Sequence, residues 1–371
     1  MLICHVVGAR PNFMKAAPVL RALGQFKNVK QLLVHTGQHY DANMSDIFFQ
    51  QLEIPAPDIN LHVGSGSHAQ QTAQIMTRFE AVIEENTPDL VVVYGDVNST
   101  VAAALVCSKL GVRVAHVEAG LRSWDRAMPE EINRIVTDQL ADLLFVPSED
   151  GRTNLLREGV DPNKIHFVGN VMIDTLQRML PEATRRIPAN LPDRYVLVTL
   201  HRPSNVDDPV WLHSVLDALR SLSESVPVLF PVHPRTRKRL EDAGLASNGL
   251  LLMDPMPYLE FLGLQTRAVA VITDSGGIQE ETSFLGIPCF TLRENTERPV
   301  TVTLGTNTLV GRDLDALRSG LNRVLAGEQK IGCVPPLWDG RSTERIATII
   351  ADSMEIDSGR EARFASQQSG S

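Results

Sequence analysis

Two Rossmann-like, doubly wound α/β domains in tandem are predicted by three observations. Short β-branched runs alternate with amphipathic stretches of helical length, the pattern of βαβ units on a mostly parallel sheet. The alternation breaks once, at a polar, proline-containing stretch, and then restarts. The chain, at 371 residues, also exceeds the usual size of one domain.

In the first half the strand candidates are 2–7, 31–35, 90–94, 113–117, 143–146 and 165–168, enough for a six-stranded sheet. Helical patterns lie between them, such as 99–110, which Gly111 can close in the left-handed conformation that helix ends favour. The break falls between Gly169 and Pro192, so the N-terminal domain is expected over 1–170. Strand candidates 195–199, 228–232, 250–253, 269–273 and 288–292 then place a C-terminal domain over 171–357, whose last helical pattern, 343–354, has the option of docking on either domain. Residues 358–371 are polar and rich in Gly, Ser and Gln, and disorder is expected there. Open parallel sheets bind ligands beyond the C-terminal ends of their strands. Chemistry is therefore expected just after strands, around an interdomain cleft.

A net charge of −9 argues against a nucleic-acid partner, which calls for a basic field, but leaves room for a small anion in a local basic pocket. The four cysteines, Cys4, Cys107, Cys289 and Cys333, are far apart and form no Cys-x-x-Cys pair, so neither a disulfide framework nor a zinc knuckle is indicated. Met1 leads straight into an apolar strand pattern, and no apolar stretch approaches membrane-spanning length. A reduced, cytoplasmic setting without a membrane partner is the expectation.

The strongest local signal is Asp274-Ser275-Gly276-Gly277-Ile278-Gln279-Glu280-Glu281, directly after an apolar strand and opening a helix. Glycines admit close backbone approach, and free amides with the helix dipole favour a phosphate there. Glu281, one turn on, is suited to accept hydrogen bonds from both ribose hydroxyls. In the first domain, Gly8-Ala9-Arg10-Pro11-Asn12-Phe13-Met14-Lys15 stands where a dinucleotide fingerprint would, but lacks Gly-x-Gly-x-x-Gly, so NAD is not supported. Arg10 and Lys15 instead offer cations to an anionic ligand, or are plain surface charges. Gly64-Ser65-Gly66 follows no convincing strand and reads as a loop.

Carboxylates at strand ends carry the second signal. Asp96 and Glu118 each end an apolar strand, where they face the ligand crevice and burial is able to raise a carboxyl toward general-base use. Glu130 and Glu131 follow Pro129 in a first helical turn, where the dipole alone is enough to explain Glu131. His201 and His233 end strands of the second domain and so point toward the cleft. The four-residue interval of His35 and His39 matches a zinc-binding helix, but Gly37 and the strand before it argue for a loop, and no metal site is indicated. Arg298 follows the last strong strand, within reach of the same anion or of a surface salt bridge. Phe261 suits the core or the flank of a base.

Gly-Ala-Arg-Pro with Lys15 at 8–15, Tyr-Gly-Asp at 94–96, His-Val-Glu-Ala-Gly-Leu-Arg at 116–122, Pro-Glu-Glu with Asn-Arg at 129–134, Thr-Asp-Ser-Gly-Gly with Gln-Glu-Glu at 273–281 and Glu-Arg-Pro at 297–299 occur in this order. Together they resemble the non-hydrolysing UDP-N-acetylglucosamine 2-epimerases, over about residues 2–354. The resemblance implies the glycosyltransferase-B type fold, commonly a homodimer, and a UDP-sugar substrate handled without cofactor or metal. It implies a UDP site of Arg10, His201, Ser275, Gly276, Gly277, Glu281 and Arg298, with Met256 and Phe261 bordering the base. Lys15, Asp96, Glu118 and Glu130 would surround the sugar. Leu200, Pro203 and Met256 depart from the residues frequent at their positions. Activation by a second UDP-sugar, known in some members, would have Gln38, His39, Glu131 and His233 as contacts.

The implied route removes the C2 proton together with anomeric UDP to give 2-acetamidoglucal, then returns UDP after reprotonation on the opposite face. Asp96, Glu118 and Glu130 form the coupled acidic set for this step, with base and acid unassigned. Arg10, His201 and the turn amides suit the departing charge. The alternatives are a hydrolysing epimerase, an epimerase of a related UDP-diacetamido sugar, a glycosyltransferase and a catalytically silent UDP-sugar sensor.

Overall fold

The computed structural model describes residues 1–38, 51–232, 236–239 and 249–354, the Arg10 side chain excepted. The chain divides into two compact units, one of Met1–Thr175 with Pro336–Ser371, the other of Leu176–Pro335.

In the first unit, β1 (Leu2–Val7), α1 (Arg10–Leu23), β2 (Lys30–His35), β3 (Ile59–Asn60), α2 (His68–Asn86), β4 (Leu90–Tyr94), α3 (Asn98–Leu110), β5 (Arg113–Val117), α4 (Pro129–Leu140), β6 (Leu143–Val146), α5 (Glu149–Arg157) and β7 (Ile165–Phe167) alternate almost without interruption. The strands form one parallel sheet in the order β3-β2-β1-β4-β5-β6-β7. It has seven strands where the sequence suggests six, because β3 is only two residues long and leaves no β-branched run to read. Central strands covered on both faces are near-continuous apolar runs, and all of β4 is apolar or aromatic and fully buried. Ala102, Ala103 and Ala104 let α3 lie close on the sheet, packed with Val91, Val93 and Ile75. Gly64-Ser65-Gly66 leads into a capping box, in which Ser67 accepts from the Gln70 amide and starts α2.

α6 (Val171–Arg185) carries the chain out of this unit. The second unit holds β8 (Val196–Thr199), α7 (Pro203–Val206), α8 (Pro209–Ser223), β9 (Val228–Pro231), β10 (Leu250–Met253), α9 (Tyr258–Arg267), β11 (Ala270–Thr273), α10 (Gly276–Leu285), β12 (Cys289–Thr291), α11 (Pro299–Thr303), β13 (Asn307–Leu309) and α12 (Leu314–Leu325). Its parallel sheet runs β10-β9-β8-β11-β12-β13. The three-residue β13 is a further strand the sequence does not announce.

The chain leaves the first unit at Leu176 rather than at residue 171, and it returns at Pro336. The last helix, α13 (Ser342–Ser353), packs on α1. Asp174 of α6 supplies its N-terminal cap from outside the helix, accepting from the amides of Ser342 and Thr343 at 3.2 and 2.8 Å. Trp338, buried, donates its indole N–H to the Pro147 carbonyl. The tail expected at 358–371 lies outside the described residues. All four cysteines are free, and only Cys333 is exposed. No helix among the described residues is long and apolar enough to cross a membrane.

Candidate functional site

In both sheets the strand order reverses beside the first strand of the unit, between β1 and β4 in one and β8 and β11 in the other. Loops diverge there and leave a crevice at the C-terminal strand ends. The candidate residues gather at these two places, each described within its own unit.

At the first, Asn12 stitches the loop after β1 to the end of β4. Its Oδ1 accepts from the amides of Gly8 and Ala9, and its Nδ2 donates to the Tyr94 carbonyl at 2.8 Å. One turn further along α1, Lys15 reaches Glu118 in an ion pair buried on both sides. Gly95, at φ +61°, turns the chain directly beneath that pair, and a Cβ there would stand 2.8 Å from Lys15 Nζ and 3.2 Å from Glu118 Oε2. Glycine is favoured there by conformation, and any side chain would have to displace the ion pair. Glu118 itself has φ +72°, a strained conformation for a side-chain-bearing residue.

Asp96, a quarter exposed, is paired with Arg134 Nη1 at 2.5 Å, and its carbonyl accepts from Asn133 Nδ2. The same Arg134 grips Glu131, which is fully buried. Glu131 also accepts from the amides of Ser123 and Trp124, both at 2.9 Å, and so pins the loop ahead of α4. Burial by itself would raise the Glu131 carboxyl, but the bonds from Ser123, Arg134 and Trp124 outweigh it and hold the group below its ordinary range. Raised above as a contact for a second sugar nucleotide, Glu131 is occupied with this loop. Glu130, next to it in the first turn of α4, is half-buried and makes no side-chain hydrogen bond or ion pair among the described residues. Gln38 is likewise internal, its Oε1 accepting from the amide and hydroxyl of Ser99. His39 and His233 lie outside the described residues, as does the side chain of Arg10.

At the second place, Asp274 ends β11 and is fully buried. It accepts from the amides of His201 and Arg202, from Asn205 Nδ2, and from His201 Nδ1 at 2.8 Å. Burial favours its neutral form, and these donors, His201 first, reverse that and lower its pKa. With Nδ1 held, His201 presents Nε2 outward on a side chain 55% exposed. Ser275 is the N-cap of α10, but its side chain caps nothing and its own amide is spent on Thr273 Oγ1 at 3.0 Å. The open donors of the turn are thus the amides of Gly276 and Gly277, which have no partner among the described residues.

Arg298 lies against this turn, where a Cβ on Gly276 would come within 2.6 Å of its Nη1. Its guanidinium is already engaged, at 2.5 Å from Glu297 and 2.7 Å from Glu280, so it is a buried ion-pair member rather than a loose surface cation. Glu281 is 3% exposed and accepts from Tyr258 Oη at 3.0 Å and Gln265 Nε2 at 2.5 Å. These bonds lock its rotamer. Met256 and Phe261 are partly buried against the core formed by Tyr195, Leu197 and Leu264.

Asn12, His116, Asn133, Arg134, Asp138 and Asp274 are organising residues that the sequence reading did not single out as site members. All but Asp138 sit in motifs beside residues it chose, yet nothing in spacing says which side chains they hold.

The family described as UDP-N-acetylglucosamine 2-epimerase matches residues 21–351 of the chain. The UDP-N-acetylglucosamine 2-epimerase of Methanocaldococcus jannaschii is 43% identical over 364 residues, 94% of this chain and 99% of the relative. A Pseudomonas aeruginosa UDP-2,3-diacetamido-2,3-dideoxy-D-glucuronate 2-epimerase is 44% identical over 358 residues, 95% of this chain and 99% of its own. Among solved structures, the M. jannaschii epimerase in complex with UDP-GlcNAc and UDP superposes with a TM-score of 0.86 at 42% identity, covering 95% of this chain and 99% of that one.

Proposed function

Because the chain belongs to the UDP-N-acetylglucosamine 2-epimerase family, we propose that it interconverts UDP-N-acetylglucosamine and UDP-N-acetylmannosamine by the non-hydrolysing route. The observation that carries the reading is the set of three carboxylates, Asp96, Glu118 and Glu130, on the adjoining ends of β4 and β5 and the first turn of α4. Proton removal at C2 and proton return from the other side need acidic groups held in place, and two of these are fixed by buried cations. Simple deprotonation at C2 is unfavourable because the carbon is not next to a carbonyl. Expulsion of UDP in the same process gives 2-acetamidoglucal, and readdition of UDP completes the inversion.

The departing diphosphate then needs donors already in position. The amides of Gly276 and Gly277 and the outward Nε2 of His201 fit that need, with Asp274 fixing the imidazole. Arg10, Ser275, Glu281 and Arg298 complete the UDP end, with Met256 and Phe261 beside the base. Lys15 supports Glu118 at the sugar end. The reading includes a cytoplasmic homodimer, checked by sedimentation and by cell fractionation.

The test is to incubate the protein with UDP-N-acetylglucosamine in D2O and follow the products by NMR. Deuterium at C2 with UDP-N-acetylmannosamine formed is expected. Folded protein that exchanges nothing refutes the reading, and free N-acetylmannosamine with UDP marks a hydrolysing enzyme. The P. aeruginosa relative, 44% identical, supports a second reading with a UDP-diacetamido uronic acid as substrate. Ranking kcat/KM for the two sugar nucleotides decides between them.

A further inference from the structure

Where β5 ends, the sheet ladder is broken in a way that leaves one carbonyl deserted. Gly95 faces Glu118 across the β4–β5 pair, and its amide donates to the Val117 carbonyl as parallel pairing requires. The same pairing would give the Gly95 carbonyl the amide of Ala119. That amide instead joins the Glu118 amide on the Phe145 carbonyl of β6, at 3.0 and 3.1 Å. The swing goes with the left-handed backbone of Glu118, which carries its carboxylate to Lys15.

His116 occupies the vacated place. Its ring is fully buried, and Nε2 lies 2.8 Å from the Gly95 carbonyl oxygen. Nδ1 lies 2.7 Å from Asp138 Oδ1, so each ring nitrogen faces an acceptor. Asp138 is anchored in turn by Arg122 Nη1 at 2.7 Å and by the Gly120 amide at 3.1 Å, and Arg122 is clasped by Glu158. A buried backbone carbonyl without a donor is costly, so a strand end that swings away must be compensated. The imidazole provides the compensation.

We infer that His116 is a positioning residue, its Nε2–H replacing the ladder amide at Gly95 and so allowing Glu118 to turn out of the sheet beside Asp96. The inference rests on the proposed epimerase reading for its kinetic consequence, but not for its structural one. Asp138 fixes the ring, and Gly95 connects it to the turn that bears Asp96.

The experiment compares His116→Gln with His116→Asn in the full-length protein. Glutamine places an N–H near the imidazole Nε2 position, whereas asparagine reaches only the Nδ1 position toward Asp138. Expected is C2 deuterium exchange within about tenfold of wild type for His116→Gln and a loss of about 100-fold for His116→Asn, the scale of a small misplacement of reacting groups. UDP affinity should stay within about twofold in both, since the UDP end belongs to other residues. Equal exchange in the two variants overturns the inference, whether both resemble wild type or both fall together with thermal stability. A crystal structure of His116→Asn tests the geometry without any assay. The Ala119 amide is expected to return to Gly95, with Glu118 at negative φ, and an unchanged Glu118 backbone overturns the inference. If the wild-type protein exchanges no deuterium, the epimerase reading fails, while the crystal structure still decides the role of His116.

Discussion

The two sheets share a strand order through six strands, β3-β2-β1-β4-β5-β6 beside β10-β9-β8-β11-β12-β13, yet finish their central strands in opposite chemistry. In the first unit the carboxylates ending β4 and β5 are each matched by a cation, Asp96 a quarter exposed on Arg134 and Glu118 buried on Lys15. In the second, the carboxylate ending β11 is turned inward, and Asp274 spends its oxygens on His201, Arg202 and Asn205. What the second crevice shows is an uncapped helix start, a partial positive charge. Topology determines where a ligand is received, and the handling of one strand-end carboxylate determines which sign of charge it meets.

The largest effect that would sharpen this contrast is expected from Asp96→Asn. General acid–base contributions of about 10²–10⁴-fold set the scale for the lost C2 exchange. UDP affinity, which the proposed reading does not assign to Asp96, should change by less than about tenfold, or about 1.4 kcal/mol. Normal turnover would reduce Asp96 to a structural partner of Arg134.

A pair of substitutions probes the other side. A Cβ at Gly276 would meet Arg298 Nη1 at 2.6 Å and Glu297 Oε1 at 2.9 Å, whereas one at Gly277 meets nothing within 4 Å. Gly276→Ala is expected to cost about 1–3 kcal/mol by overpacking. Gly277→Ala should leave stability equal or raise it by up to about 1 kcal/mol, while UDP binding weakens because the methyl shields the amides. Melting curves and titration calorimetry separate the two effects, and unchanged UDP binding in Gly277→Ala would break the proposed anion site.

Glu131→Gln should release the loop at Ser123 and Trp124, costing about 1–3 kcal/mol. Its folded-state carboxyl lies below the ordinary 4.5. A depressed carboxyl stabilises the fold above its unfolded pKa, and that stability disappears as pH falls through the folded value. The gap in urea midpoint between wild type and Glu131→Gln is thus expected to be full near neutrality and to close as pH falls below the ordinary carboxyl value of 4.5 and through the lower folded value. A gap of constant size would show that the charge of Glu131 is not what holds the loop. A loss of about 1 kcal/mol is expected from Asp174→Ala, for a lost helix cap, read from chemical denaturation.

Most of the fold was legible because buried parallel strands write themselves as continuous apolar runs, as Leu90–Tyr94 does. β3 and β13 were not, since two or three residues give no period. Asp96 and Glu118 were visible as charges terminating such runs. Their holders were hidden by distance along the chain: His116 meets its two acceptors 21 and 22 residues away, and Asp274 meets His201 across 73. The helix start at Gly276 was legible, but not that the Ser275 amide is consumed by Thr273. No local pattern marks where the chain rejoins the first unit at Pro336.

That return has a consequence for how the molecule is made. The cap that Asp174 offers to α13 joins residues 168 and 169 positions apart. During synthesis from the N-terminus, the seven-stranded sheet emerges long before the helix that covers α1. The second unit, an unbroken segment, is therefore able to fold while the first still waits, with the α1 surface uncovered, for its last helix to leave the ribosome.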